Sequence, residues 1–233
     1  MNKEINSETF LCISPSKFKI YLFDVNGFKN LYFNELVIKK NSKFLDLNLL
    51  KEFLDNNIYK IEKYTGKFIE NVFVIINNEK ILSLDIGIKK KNYNNYIDKQ
   101  SVENYITEVK DLFKENYLDQ KIMHIIINKS LIDGKICMIT KENLKCEQLS
   151  LEIQFKSLPN NVVYDLNKVL EIYQIKINKF LDESYIKNSF NDDLGLSAMA
   201  HKILNGHNPN EVMVVPKNIT KKGFFEKFFQ LFS

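Results

Sequence analysis

The side chains able to do chemistry are few and scattered. His124 sits inside an apolar run, residues 122–127, where a histidine satisfied within a core is the expected role. His201 and His207 have no cysteine nearby and no metal-ligand spacing. Cys12, Cys137 and Cys146 form no metal or redox pair and read as reduced thiols. The acidic pairs Asp182-Glu183 and Asp192-Asp193 read as helix caps or solvated faces. No nucleophile, base and orienting acid can be assembled from these residues. One short motif, Asp85-Ile86-Gly87, has the form of a phosphate-cradling turn, where backbone N–H groups and a glycine allow close approach. Such a site also needs a second glycine-rich turn and acidic residues for Mg²⁺. The chain has 7 glycines, no two of them adjacent, so the motif reads as the end of a plain strand. The expectation is a protein that is not an enzyme and has no cofactor and no metal.

The chemistry that does stand out is interfacial. At about 100° per residue on a helix, Phe224, Phe225, Phe228, Phe229, Leu231 and Phe232 share one face roughly 160° wide. Gly223, Glu226, Lys227 and Gln230 take the other face, and Lys221 and Lys222 precede the segment. A helix this short is marginal in water and needs a surface to lie on. Phenylalanines on one face, with lysines beside them, suit a membrane interface of anionic headgroups. A terminal helix docked on its own domain or on a partner is the competing reading.

Composition narrows the classes. A chain of 233 residues with 45% hydrophobic content makes one ordinary domain or two small ones. No stretch approaches the ~18–20 apolar residues of a membrane-spanning helix. The first residues are polar and lack the apolar run of a secretory signal, which points to a cytosolic protein. Net charge is a mild +4, and every basic residue is lysine. Arginine is the side chain that reads guanine and clamps phosphate bidentately, so sequence-specific nucleic-acid binding is not expected.

The elements that must position these residues alternate between strand and helix. Residues 10–22 alternate well enough for a strand, broken at Ser14-Pro15-Ser16; residues 31–38 follow after an Asn26-Gly27 turn. Leu50, Phe53, Leu54, Ile58 and Ile61 have helical spacing, with Asp46 as N-cap and Gly66 as terminator. Residues 72–76 form a short apolar run suited to a buried strand. A new unit begins near Lys80: a strand at 81–88, a polar loop, and an amphipathic helix through Val102, Ile106, Val109 and Phe113. Strands follow at 122–127, 132–139 and 149–155. Asn161 is placed as the cap of a helix running to Tyr173, a strand returns at 175–181, and a helix covers 194–204. Residues 207–219 read as a linker. The expected class is mixed α/β, with helices covering sheets.

With this order of elements and this tail, the chain resembles the FtsA family of bacterial cell-division proteins in a shortened form. The main motif is the run 122–134, which is similar to a family strand of the form apolar-apolar-His-x-Ile-Pro followed by apolar-Asp. His124, Ile132, Asp133 and Gly134 fit it; Ile127 stands where the family has proline and Ser130 where it has an aromatic residue. Val102-Glu103-Asn104, the small-residue helix around Ala198, and the Phe-rich tail are the other points of likeness. The resemblance implies an actin-like 1A-type subdomain from residues 8–79 and 174–206, an inserted SHS2-type 1C subdomain at 80–173, a linker at 207–219, and a membrane-targeting helix at 220–233. The family's first phosphate turn would fall at residues 12–17. There Cys12 and Ser14 replace an acidic residue and a glycine, Pro15 withdraws a backbone donor, and only Lys17 fits. The ATP-side subdomains, 2A and 2B, have no counterpart.

The resemblance implies a non-enzymatic peripheral membrane adaptor of the division machinery, on the cytoplasmic face of the inner membrane at the septum. Its membrane contacts would be Lys221, Lys222, Phe224, Phe225, Lys227, Phe228, Phe229, Leu231 and Phe232. Its partners would be anionic lipid, division proteins such as FtsN, further copies of itself and FtsZ, although the family's FtsZ-docking 2B subdomain is missing. Two other functions remain open: a nucleotide-dependent actin-like ATPase completed by a partner chain, with Lys17 as the surviving phosphate contact, and an adaptor of a pilus-assembly machine.

Overall fold

The computed structural model describes residues 6–38, 45–97, 99–137, 144–191 and 194–212. The elements run β1 (Ser7–Ser14), β2 (Lys17–Asp24), β3 (Lys29–Val37), α1 (Leu47–Asp55), α2 (Ile58–Thr65), β4 (Asn71–Ile76), β5 (Leu82–Ile97), α3 (Lys99–Asn116), β6 (Gln120–Ile132), β7 (Lys135–Ile136), β8 (Leu144–Pro159), α4 (Asn160–Glu171), β9 (Lys176–Asp182), α5 (Glu183–Asn188) and α6 (Leu196–Leu204). The fold is mixed α and β and divides into two units. One comprises Met1–Ile81 with Pro159–His207, the other Leu82–Leu158 with Asn208–Ser233. Helix α4, expected in the inserted unit of residues 80–173, therefore belongs to the first.

In the first unit the strands lie in the order β3-β2-β1-β4-β9. β1, β2 and β3 form an antiparallel meander, and β4 and β9 add in parallel beyond β1. Phe10, Leu11, Cys12 and Ile13 are all buried, so β1 has lost the alternation of a one-sided strand. The reason is that helices cover both faces. Phe18 meets Phe53 of α1, with ring centroids 6.0 Å apart; Phe23, five residues on and thus on the opposite face, meets His201 of α6 at 5.4 Å.

The helix expected through residues 50–61 is two helices. Asp46 does cap the first: its Oδ1 accepts from the N–H groups of Asn48 (3.1 Å) and Leu49 (3.0 Å). The break comes at Asn57, which is fully buried. Its Nδ2 donates to the Phe53 carbonyl at 2.5 Å, and its Oδ1 accepts from Tyr32 Oη and Asn34 Nδ2, both at 2.7 Å. A buried amide satisfied this way specifies where the chain turns. Gly66, at φ +69°, ends α2 in the left-handed conformation as expected. Asn161 is not the cap of α4; that place is taken by Pro159, and Asn161 lies inside the helix. The short helix α5 had no sequence signal beyond its Asp182 cap.

In the second unit the order is β5-β8-β6-β7. Helix α3 lays Val102, Ile106, Val109 and Phe113 against Leu149, Leu151, Ile153 and Phe155 of β8. Phe113 stacks on Phe155 at 4.7 Å and on Tyr117 at 5.0 Å. The polar stretch after residue 88, expected as a loop, continues as strand: β5 pairs with β8 as far as Ile97, through an irregularity between Lys91 and Asn95. Tyr93 and Asn94, both at positive φ, take up that irregularity. The strands expected at 122–127 and 132–139 are instead one long strand, β6, and the two-residue β7, joined at Asp133-Gly134. Both turn residues have positive φ (49° and 79°), as a tight two-residue hairpin demands.

Candidate functional site

The turn that the resemblance would make phosphate-binding is the β1–β2 hairpin. It stands at the C-terminal ends of β1 and β4, beside a shallow cleft lined by Ile13, Ser14, Pro15, Leu45, Ile76, Asn77, Asn78, Val162 and Leu166. A phosphate cradle works by leaving backbone N–H groups free to face an anion. This hairpin engages its own groups. The Lys17 N–H donates to Ser14 Oγ at 3.1 Å, and Ser14 Oγ donates to the Lys17 carbonyl at 3.0 Å. Pro15 has no N–H to offer. Lys17 itself opens β2, paired in register with Ser14 on one side and Val37 on the other.

Two residue pairs further in, Cys12 is buried, with Lys19 as its cross-strand partner. Burial pushes its thiol well above the usual range; Glu183 pushes the same way, while Lys19 and Lys187 oppose. Those lysines are already engaged, Lys19 with Glu35 at 3.0 Å and Lys187 with Glu183 at 2.6 Å. A thiol held protonated is a packing group and not a nucleophile. Asp182, at the end of β9, is a helix cap: it accepts from the Ser184 N–H at 2.9 Å and from Ser184 Oγ at 2.8 Å. Among the described residues, no group of three or more His, Cys, Asp or Glu is arranged to hold a metal ion.

The histidines are all in structural contacts. His201 Nδ1 lies 2.8 Å from Glu8 Oε2, and His207 stacks on Phe190 at 4.1 Å. Lys202 sits over both Phe28 and Phe190, 5.7 and 5.9 Å from the ring centroids. His124 is the core histidine that its apolar run predicts, and its partner is Glu211: Nδ1 and Oε1 are 2.8 Å apart, with His124 1% and Glu211 2% exposed. The two residues are 87 positions apart, and no local pattern links them. Asp85-Ile86-Gly87 lies mid-strand in β5, opposite Gln154, Ile153 and Glu152. Asp85 Oδ1 accepts from Asn128 Nδ2 (3.0 Å) and Gln154 Nε2 (3.1 Å), tying β5, β6 and β8 together. Asp133 does the same at the hairpin, its Oδ1 accepting from the N–H groups of Glu147 (2.9 Å) and Gln148 (2.8 Å).

The proposed membrane contacts Lys221, Lys222, Phe224, Phe225, Lys227, Phe228, Phe229, Leu231 and Phe232 lie outside the described residues. Among the described residues no helix is long and apolar enough to cross a membrane.

No family model matches this chain, and no curated protein does. Solved structures do resemble it. One is a chain of the PilM–PilN type IV pilus biogenesis complex, at TM-score 0.48 and 11% identity, over 77% of this chain and 48% of that one. A second is the cytoplasmic domain of EpsL, an inner-membrane component of the type II secretion system of Vibrio cholerae, at TM-score 0.42 and 7% identity, over 78% of this chain and 59% of that one. A third is a Bacteroides thetaiotaomicron protein of unknown function described as having an actin-like ATPase fold, at TM-score 0.32 and 13% identity, over 82% of this chain and 59% of that one. The chain thus spans about half the length of the first of these and 59% of the other two.

Proposed function

We propose that this chain is a non-enzymatic peripheral membrane adaptor on an actin-like sheet, related to the FtsA type. The observation that carries the reading is the tail, with six large apolar residues on one face of a lysine-flanked segment. The β1–β2 hairpin supports it from the other side. Where a nucleotide-binding relative would present free N–H donors, this hairpin holds Pro15 and a Ser14 hydroxyl that takes up the Lys17 amide. The sheet order β3-β2-β1-β4-β9 supports the actin-like half of the reading. Its work is then to hold partners at a membrane: FtsZ, the cytosolic part of a protein such as FtsN, or further copies of itself. Full burial of one Phe is worth ~1.5–3 kcal/mol, and an interfacial helix gains part of that per side chain, so a single tail binds reversibly.

Vesicle flotation tests this. The full chain rises with anionic vesicles, and Phe228→Asp stays behind while keeping its far-UV circular dichroism. A Phe228→Asp chain that still floats removes the tail as anchor. Purified FtsZ added to the same gradient assigns the partner: FtsZ that rises only with this chain makes it a division tether, and FtsZ left at the bottom removes that part of the proposal. Tight Mg-ATP binding by calorimetry would overturn the non-enzymatic half.

A further inference from the structure

The stretch after α6 leaves one unit and is built into the other. His207 belongs with α6; residues 208–212 belong with β5 to β8. Asn208 shapes the entry, since its Oδ1 accepts from the Asn210 N–H and its carbonyl from the Glu211 N–H, each at 3.0 Å. Residues 210–212 run antiparallel to β6. The Ile127 N–H donates to the Asn210 carbonyl at 2.9 Å, the Val212 N–H donates to the Ile125 carbonyl at 2.8 Å, and Ile126 bridges Glu211. Val212, 2% exposed, joins the apolar core of its unit, and Glu211 reaches the buried His124. The sequence pattern predicts a linker here. The stretch is a strand addition with three separate recognition elements: main-chain bonds, one apolar socket and one polar socket.

The covalent path to that socket sets it apart from the other two crossings between the units. At 81/82 and 158/159 the chain joins whole elements on both sides. At 207/208 it carries one short described stretch behind a turn containing Pro209. A segment rooted in one unit and docked in the other is held by effective concentration, so an identical segment from a second molecule competes for the same socket. It fits by identity, and only residues 207–209 must reopen.

We propose that residues 210–212 and their socket on β6 form an exchangeable joint through which two copies of this chain pair, each inserting its Glu211 beside the other's His124. The pair is two-fold symmetric and needs no new surface. The test uses the full chain in lipid-free buffer, by size-exclusion chromatography with light scattering over a wide concentration series. The wild type is expected to show a dimer that grows with concentration and reverts slowly on dilution. Deleting Asn208 and Pro209 removes the turn that folds the segment back, and a shortened hinge favours exchange with a second copy. That variant is expected to be dimeric throughout, with the Val212 amide still slow to exchange. Glu211→Lys, which sets an ammonium against His124, is expected to abolish both dimers. A wild type that is monomeric at every concentration overturns the proposal. So does a monomeric deletion variant, or a dimer that survives Glu211→Lys and so forms through another surface.

Discussion

Replacing His124 by alanine should strongly destabilise the second unit. The ring sits 2.8 Å from Glu211, and neither residue is more than 2% exposed. Breaking a buried ion pair by removing one partner typically costs about 3–5 kcal/mol. Against a typical total of about 5–15 kcal/mol, that is about a fifth or more of the unit's stability. Glu211→Gln keeps the shape and a hydrogen-bonding oxygen, so it should cost less, about 1–3 kcal/mol. Replacing both residues together, with His124→Leu and Glu211→Met, removes the charge and fills the space. Buried pairs exchanged for apolar side chains of similar volume are often neutral or more stable, so the double variant should recover most of the loss. The assay is urea unfolding followed by circular dichroism and by tyrosine fluorescence, which is convenient because the chain has 11 Tyr and no Trp. A loss below about 1 kcal/mol for His124→Ala, or a double variant as unstable as the singles added together, would refute the reasoning.

Two smaller perturbations check other parts of the fold. Asp46→Ala deprives the Asn48 and Leu49 amides of their acceptor and should cost about 1 kcal/mol, read as a lower urea midpoint at unchanged slope; no change would mean that the cap is not formed in solution. Stability should also fall at alkaline pH. Cys12 is raised by burial, Tyr21 by burial and the neighbouring Cys12, and Tyr173 by burial and its hydrogen bond to Asp55. The folded state therefore keeps these protons after the unfolded chain has begun to release them. Their stabilisation is complete below the ordinary thiol pKa of about 8.5 and is lost progressively above it. Thermal midpoints measured from neutral to about pH 10 should decline, and Cys12→Ala should flatten the onset; a midpoint constant across that range would contradict it.

How much of this was legible in the sequence depends on the range over which each signal acts. Asp46, Gly66 and the alternation of Leu149, Leu151, Ile153 and Phe155 act locally, and the structure places them as read. The break between α1 and α2 was missed because the apolar spacing runs straight through it; what decides it is Asn57, held by Tyr32 and Asn34 from another element. The Lys/Asn stretch after residue 88 has a loop's composition but becomes strand, because residues 144–150 of β8 supply the pairing. His124 was legible as a core histidine, but its partner was not: Glu211 looked like a linker residue. Asp85-Ile86-Gly87 lacks the companions of a phosphate turn and is strand, but not the end of one, because β5 runs on to Ile97.

The two parallel additions to the first sheet set an order of events along the chain. β4 is covered by β1 on one side as soon as residues 71–76 have emerged, but its other edge must wait for β9 at residues 176–182. Everything from β5 to α4 lies in between. During synthesis, strand edges in the segment Val72–Ile76, among the most apolar of the protein, stand unpaired while the sheet of the second unit forms. An unpaired apolar edge is a template for the wrong partner. The late closure by β9 makes the first unit the slow, vulnerable partner in folding, and any delay in translating residues 82–175 lengthens the time its edge stays open.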